Sequence, residues 1–175
     1  MSRERMPISY TALHDDDDVQ PSPALRERVL ASVDPARRLE GFVARTARLF
    51  DLSEERMREV LCAANSVSAP SWVAVGPTLH LFHFDGGPSR ADADCGLVQV
   101  AAGATFPLHR HRGLEWNFVL SGAAEENSGE LWLPGDLVLR EPGTVHGYRV
   151  LPDEPVLFAV VLEAGIEILL DGHGS

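Results

Sequence analysis

There is no lysine in the 175 residues, and all fifteen basic side chains are arginine. That absence excludes P-loop phosphate binding, Schiff-base chemistry and pyridoxal-phosphate catalysis, each of which needs a lysine amine. Cysteine is almost as scarce. Cys62 and Cys95 are too few and too far apart for a disulfide framework. No run of 18 apolar residues occurs, so no transmembrane helix is expected. The start, Met1 to Arg5, leads into polar sequence, so no signal peptide and a cytoplasmic protein are expected. Positive charge is short as well. Twenty-six acidic residues give a net charge of −11, which repels phosphate backbones and argues against a nucleic-acid partner. What is there suffices for a soluble fold: 45% hydrophobic and 23% charged residues, enough for one domain and a modest extension.

The chain divides by composition. Residues 1–21 hold Asp15 to Asp18 and Pro21 and are expected to form a disordered acidic tail, because crowded like charges do not bury. Residues 22–65 are expected to form a helical extension. Ser22 and Pro23 suit a helix start, and Leu25, Val29, Leu30 and Val33 recur at helical spacing. A second helix follows Pro35, with Leu39, Phe42, Val43, Ala47 and Phe50 on one face. A third begins near Ser53 and buries Met57, Val60 and Leu61. Such short helices need something to dock on, either the rest of the chain or a partner. Residues 66–77, with Pro70, Gly76 and Pro77, read as a linker, and residues 171–175 as a tail.

Residues 78–170 carry eight or nine short apolar runs. They are separated by turns such as Asp85-Gly86-Gly87-Pro88, Pro134-Gly135-Asp136 and Pro142-Gly143. That pattern means a sandwich or barrel. The densest signal is Gly103, then His109-Arg110-His111, then Glu115 and Gly122. His109 and His111 differ by two, which puts both imidazoles on one face of a strand. Glu115 opens the next strand, and His146 follows Pro142-Gly143. Three imidazoles and a carboxylate suit one divalent transition metal, whether zinc, iron, manganese or nickel. Alternation brings Asn117 and Tyr148 inward beside Glu115 and His146, as pocket residues. Trp116 and Trp132 are expected in the core or at a dimer interface. Glu125 and Glu126 are expected to be solvated, Cys62 buried, and Cys95 open to oxidation in a polar loop.

These blocks resemble the two motifs of the cupin superfamily: Gly103, His109, His111, Glu115 and Gly122 in the first, Gly135, Pro142, Gly143 and His146 in the second. Two positions depart. The proline sits directly before Gly143, and Val150 stands where an asparagine is usual. The resemblance implies a mainly β fold, a cupin double-stranded β-helix (jelly-roll barrel) with a short α-helical N-terminal extension.

A narrower resemblance joins Phe106 to His111, Gly135-Asp136, Leu157 to Leu162 and the preceding helices with Arg45, Leu49 to Leu52 and Arg58 to the C-terminal cupin of ChrR-type anti-sigma factors. It implies a regulatory or sensing module for oxidative stress, with an extracytoplasmic-function sigma factor as partner. The family's N-terminal zinc module needs a His-x3-Cys-x2-Cys pattern. No cysteine precedes Cys62, so the resemblance implies the sensing half with an altered N-terminal part. The alternative is a metal-dependent dioxygenase-type enzyme acting on a small diketone or phenol, since the same ligand set serves such cupins. Exposed sheet edges of such a barrel predict a homodimer.

Overall fold

The computed structural model describes residues 22, 38–64 and 71–169. The expected acidic tail, the helix over Leu25 to Val33, the C-terminal tail, His14 and His173 lie outside the described residues. The helices and strands of the described residues belong to one compact unit within Pro35–Ser175.

Helix α1 spans Val43–Phe50, after a 3-10 turn at Glu40–Phe42. Helix α2 spans Glu54–Ala63. Ser53 caps α2 by accepting a hydrogen bond from the Arg56 amide at 3.1 Å, and Glu54 and Glu55 favour the positive end of the helix dipole. Eleven strands come after them among the described residues: β1 (Val73–Ala74), β2 (Leu79–His83), β3 (Asp94–Val100), β4 (Thr105–His111), β5 (Glu115–Ser121), β6 (Ala124–Glu126), β7 (Leu131–Trp132), β8 (Leu137–Arg140), β9 (Val145–Val150), β10 (Val156–Leu162) and β11 (Ile166–Ile168). They form two antiparallel sheets, ordered β1-β2-β3-β10-β5-β8 and β11-β4-β9-β6-β7. This is the mainly β, two-sheet jelly roll that the motifs implied. Strand β1 lies inside the stretch read as a linker. There Trp72 is buried and its indole N–H donates to the Ala64 carbonyl at 3.3 Å. Among the described residues no helix is long and apolar enough to cross a membrane.

Strand β10 is buried on both faces, which explains the near-continuous apolar run Val156 to Leu162. On β10, Leu157, Ala159 and Val161 face the helices, while Val156, Phe158 and Val160 face the second sheet. Phe50 and Met57 are fully buried against that outer face with Leu97 and Phe118. The helical extension therefore shares a core with the barrel instead of waiting for a partner. The end of α1 is tied down as well. Arg90 donates to the Leu49 carbonyl at 3.0 Å and its guanidinium lies 4.6 Å from the Trp116 ring centre. Between the sheets, Trp132, Val119, Val150 and Phe158 form a second core.

The two cysteines exchange the environments expected of them. Cys62 is exposed and Cys95 is buried within β3. Cys62 falls on the outer side of α2, away from Met57, Val60 and Leu61. Cys95 pairs into the sheet against Val161, and burial pushes its thiol pKa up, away from thiolate chemistry.

Candidate metal centre

His109, His111, Glu115 and His146 converge. One ligand atom from each lies within 4.8 Å of all the others, and all four residues are buried. The imidazole centres are 4.4 Å apart for His109 and His146, and 4.9 Å apart for His111 with each of the other two. His109 and His146 face each other across the β4–β9 ladder.

A bulge sets this register. The pairing slips between Phe106 and His109, where Pro107 lacks an N–H and Leu108 is pushed out to 38% exposure. Phe106 and His109 both point inward as a result, which strict alternation would forbid. The slack also turns the Pro107 carbonyl onto His109, whose Nδ1 lies 2.9 Å from it. That bond fixes the tautomer and leaves Nε2 as the donor atom for a cation. At the other corner, Gly113 lets the chain turn into β5 past the Glu163 backbone. A Cβ there would come within 2.3 Å of the Glu163 carbonyl oxygen.

Burial governs the electrostatics. Desolvation lowers the pKa of all three imidazoles, taking His111 and His146 to about 4, with neighbouring histidines and Arg140 adding to the shift in those two. Desolvation raises Glu115 to about 7 against the opposing pull of the Asn117 hydrogen bond and Arg140. The centre therefore holds three neutral imidazoles and one readily ionised carboxyl at neutral pH. Both ring nitrogens of His111 and of His146, and Oε2 of Glu115, are buried without a hydrogen-bond partner. Each such atom costs about 1–3 kcal/mol if left unmatched. One ligand atom from each of the four residues converges, and orphaned nitrogens and a carboxylate oxygen among them fit a borderline divalent cation that accepts nitrogen and oxygen donors. Four-coordinate zinc would be closed by this set, while a six-coordinate metal would keep two open positions.

The two pocket candidates also fall in place. Asn117 hydrogen-bonds Glu115, and Tyr148 lines the same cavity, its ring stacked on Phe106 at 5.2 Å. Burial raises the Tyr148 pKa and the Glu115 charge adds to that, so the phenol stays protonated. Of the two histidines on β2, His83 lines the same cavity at its exposed side and His80 does not, and neither belongs to the four-residue cluster. Trp132 is a core residue, 1% exposed.

Glu126 is a correction. It was expected to be solvated, yet it is 9% exposed on β6 and its Oε1 lies 3.0 Å from Nδ1 of His146, without a hydrogen bond's alignment. Arg140 donates to it at 2.7 Å and the Ser128 hydroxyl donates to its other oxygen. Burial pushes the Glu126 carboxyl up, but Ser128 and Arg140 together outweigh it and hold the carboxyl below its ordinary value. Nothing local in Ala124-Glu125-Glu126 announces this. The signal is the cross-strand register, Glu126 opposite Tyr148.

The sequence profile of the ChrR Cupin-like domain matches residues 62–164, more than half of the chain. A protein of Cereibacter sphaeroides provisionally named dimethylsulfoniopropionate lyase DddL is 34% identical over 65 residues, 37% of this chain and 28% of that protein. The chain thus spans less than a third of that relative's length. Among solved structures, the complex of Rhodobacter sphaeroides SigE with the anti-sigma factor ChrR superposes with a TM-score of 0.53 at 19% identity, covering 80% of this chain and 75% of that one. The dimethylsulfoniopropionate lyase DddQ of Ruegeria pomeroyi gives 0.51 at 23% identity, covering 74% and 78%. At these identities the superpositions show the fold. The buried His-His-Glu-His cluster, the two-sheet barrel and the profile match agree: this chain belongs to the ChrR cupin-like domain family.

Proposed function

We propose that the chain is a regulatory, metal-holding cupin module of the ChrR type. Its His109, His111, Glu115 and His146 hold one divalent metal, zinc first. The partner is an extracytoplasmic-function sigma factor, in a cytoplasmic response to oxidants. One observation carries the regulatory reading. Among the buried side chains beside the four ligands there is little free acid or base: Glu126 is engaged by Arg140 and Ser128, and Tyr148 is held protonated, while His83 and Asp94 lie at the exposed side of the cavity. A site built to hold a cation, without a poised proton carrier, suits sensing better than turnover. The likeness to the SigE–ChrR complex, over 80% of this chain, supports the choice of partner.

The test is co-purification of the metal-loaded chain with each extracytoplasmic-function sigma factor of the source genome. One stable complex, lost with His109→Ala, is expected. No complex with any of them would overturn the partner. A homodimer belongs to the same reading. Strand β8 is a sheet edge carrying Leu137 and Leu139, 51% and 48% exposed, and sedimentation of the purified chain tests it.

A second reading is a metal-dependent enzyme, an oxygenase of a small diketone or phenol, or a lyase by likeness to DddL and DddQ. The cavity that reaches His109 and Glu115 favours it. Oxygen uptake by the iron-loaded protein, or olefin release from a sulfonium acid, would support it.

A further inference from the structure

A cation stands beside a site suited to a cation. Arg140 closes β8, directly opposite Glu115 in the β5–β8 ladder, and its side chain is 18% exposed. Its Nη2 donates to Oε1 of Glu126 at 2.7 Å, and that same oxygen lies 3.0 Å from Nδ1 of His146. One carboxylate oxygen therefore separates the guanidinium from a candidate ligand. By charge alone, a guanidinium fixed there opposes a divalent metal. It is fixed from several sides. Nη1 donates to the Leu139 carbonyl at 3.2 Å, Oε2 of Glu130 lies 3.6 Å from Nη2, and the Trp132 ring centre is 5.5 Å from the guanidinium carbon. The bond to Glu126 joins the edge strand of one sheet to β6 of the other. With the Ser128 hydroxyl on Oε2, both oxygens of Glu126 are held.

We propose that Arg140 is a positioning residue for the metal centre, holding the Glu126 carboxylate against Nδ1 of His146. The ring then keeps its N–H on Nδ1 and offers Nε2 to the metal. An anionic oxygen 3.0 Å from a ring nitrogen repels a lone pair and favours an N–H, even off the alignment of a hydrogen bond. Without Arg140, Oε1 loses its donor and the buried carboxylate keeps Ser128 alone. The gain through Glu126 outweighs the repulsion between guanidinium and metal. This deepens the metal reading and rests on it.

The experiment measures zinc affinity by chelator competition for wild type, Arg140→Met, Glu126→Gln and the double variant, with denaturant unfolding followed in parallel. Arg140→Met is expected to bind zinc at least about tenfold more weakly than wild type. In the Glu126→Gln background the same change is expected to leave binding unchanged or to tighten it, because only the repulsion is then removed. Equal or tighter binding in a folded Arg140→Met protein would overturn the inference. So would the same loss in both backgrounds, which is the mark of a purely structural cross-link between the sheets. Independently of any variant, nitrogen NMR of zinc-loaded wild type is expected to show His146 with its proton on Nδ1 and zinc on Nε2. Zinc on Nδ1 would overturn the inference, whether or not Arg140→Met folds. Any of these failures in a protein that binds zinc would leave the metal reading standing. Wild type that takes up no zinc would overturn the metal reading and this inference with it.

Discussion

Acid should strip the metal through one proton, and that proton belongs to Glu115. In the metal-free protein the Glu115 carboxyl titrates near 7, because burial opposes its charge, whereas His111 and His146 stay neutral down to about 4. A bound divalent metal needs the carboxylate and the neutral imidazoles. That fixes the sign. Above about pH 8 almost no proton competes, so affinity is flat. Below 7 the metal must displace one proton, and apparent affinity falls about tenfold per pH unit. From the plateau above about pH 8 down to pH 5 the loss is about 100-fold, or ~2.7 kcal/mol. Near about 4 His111 and His146 join and the slope steepens. The assay is zinc competition against a chelator of known pH dependence, read every half unit from pH 8 to pH 5 by protein-bound metal. Glu115→Gln should bind more weakly at pH 8 and lose the slope between 7 and 5. Three protons released across a midpoint near the ordinary imidazole value of ~6.5 would refute the reasoning, since the histidines would then titrate as if solvated. That three-imidazole curve is what the ligand types alone suggest, and burial is what changes it.

Other perturbations reach other parts of the account. Glu126→Gln should weaken metal binding about 10–100-fold in the same competition assay, since the carboxylate beside His146 is lost, while Glu125→Gln on the exposed face of β6 should not. Phe50→Ala should cost about 3–5 kcal/mol in denaturant unfolding, because the ring is fully buried between α1 and the sheet. A cost under about 1 kcal/mol would mean the helices are not part of the barrel's core. Gly122→Ala should destabilise by at least about 2 kcal/mol. Its φ is +69° and a Cβ would meet the Pro155 carbonyl oxygen at 2.4 Å.

The four candidate ligands were legible because their spacing encodes strand geometry: a step of two positions from His109 to His111, one corner to Glu115, one turn before His146. The alternation inferred for β5 also holds, with Val119 facing the second sheet and Phe118 facing the helices. The features that stayed hidden depend on pairing between distant strands. Ala124-Glu125-Glu126 has the composition of a solvated loop, yet β9 on one side and β7 on the other make it a strand and turn Glu126 inward. Val73–Ala74 lies in a stretch rich in serine, proline and glycine, and becomes a strand only because Leu81 and His80 stand opposite. The bulge at Pro107–Leu108 is hidden for the same reason. A proline in a strand signals an irregularity, but only the β9 partner shows that it brings Phe106 and His109 to the same side.

The most direct test of the account is the metal content of the untagged chain, expressed without added metal and purified at pH 8. The account expects about one divalent transition metal per chain in the wild type. Less than about a tenth of that is expected in His109→Ala and in Glu115→Ala proteins that remain folded. Wild type that carries no metal and takes none up on reconstitution, or variants that keep a full complement, would contradict it.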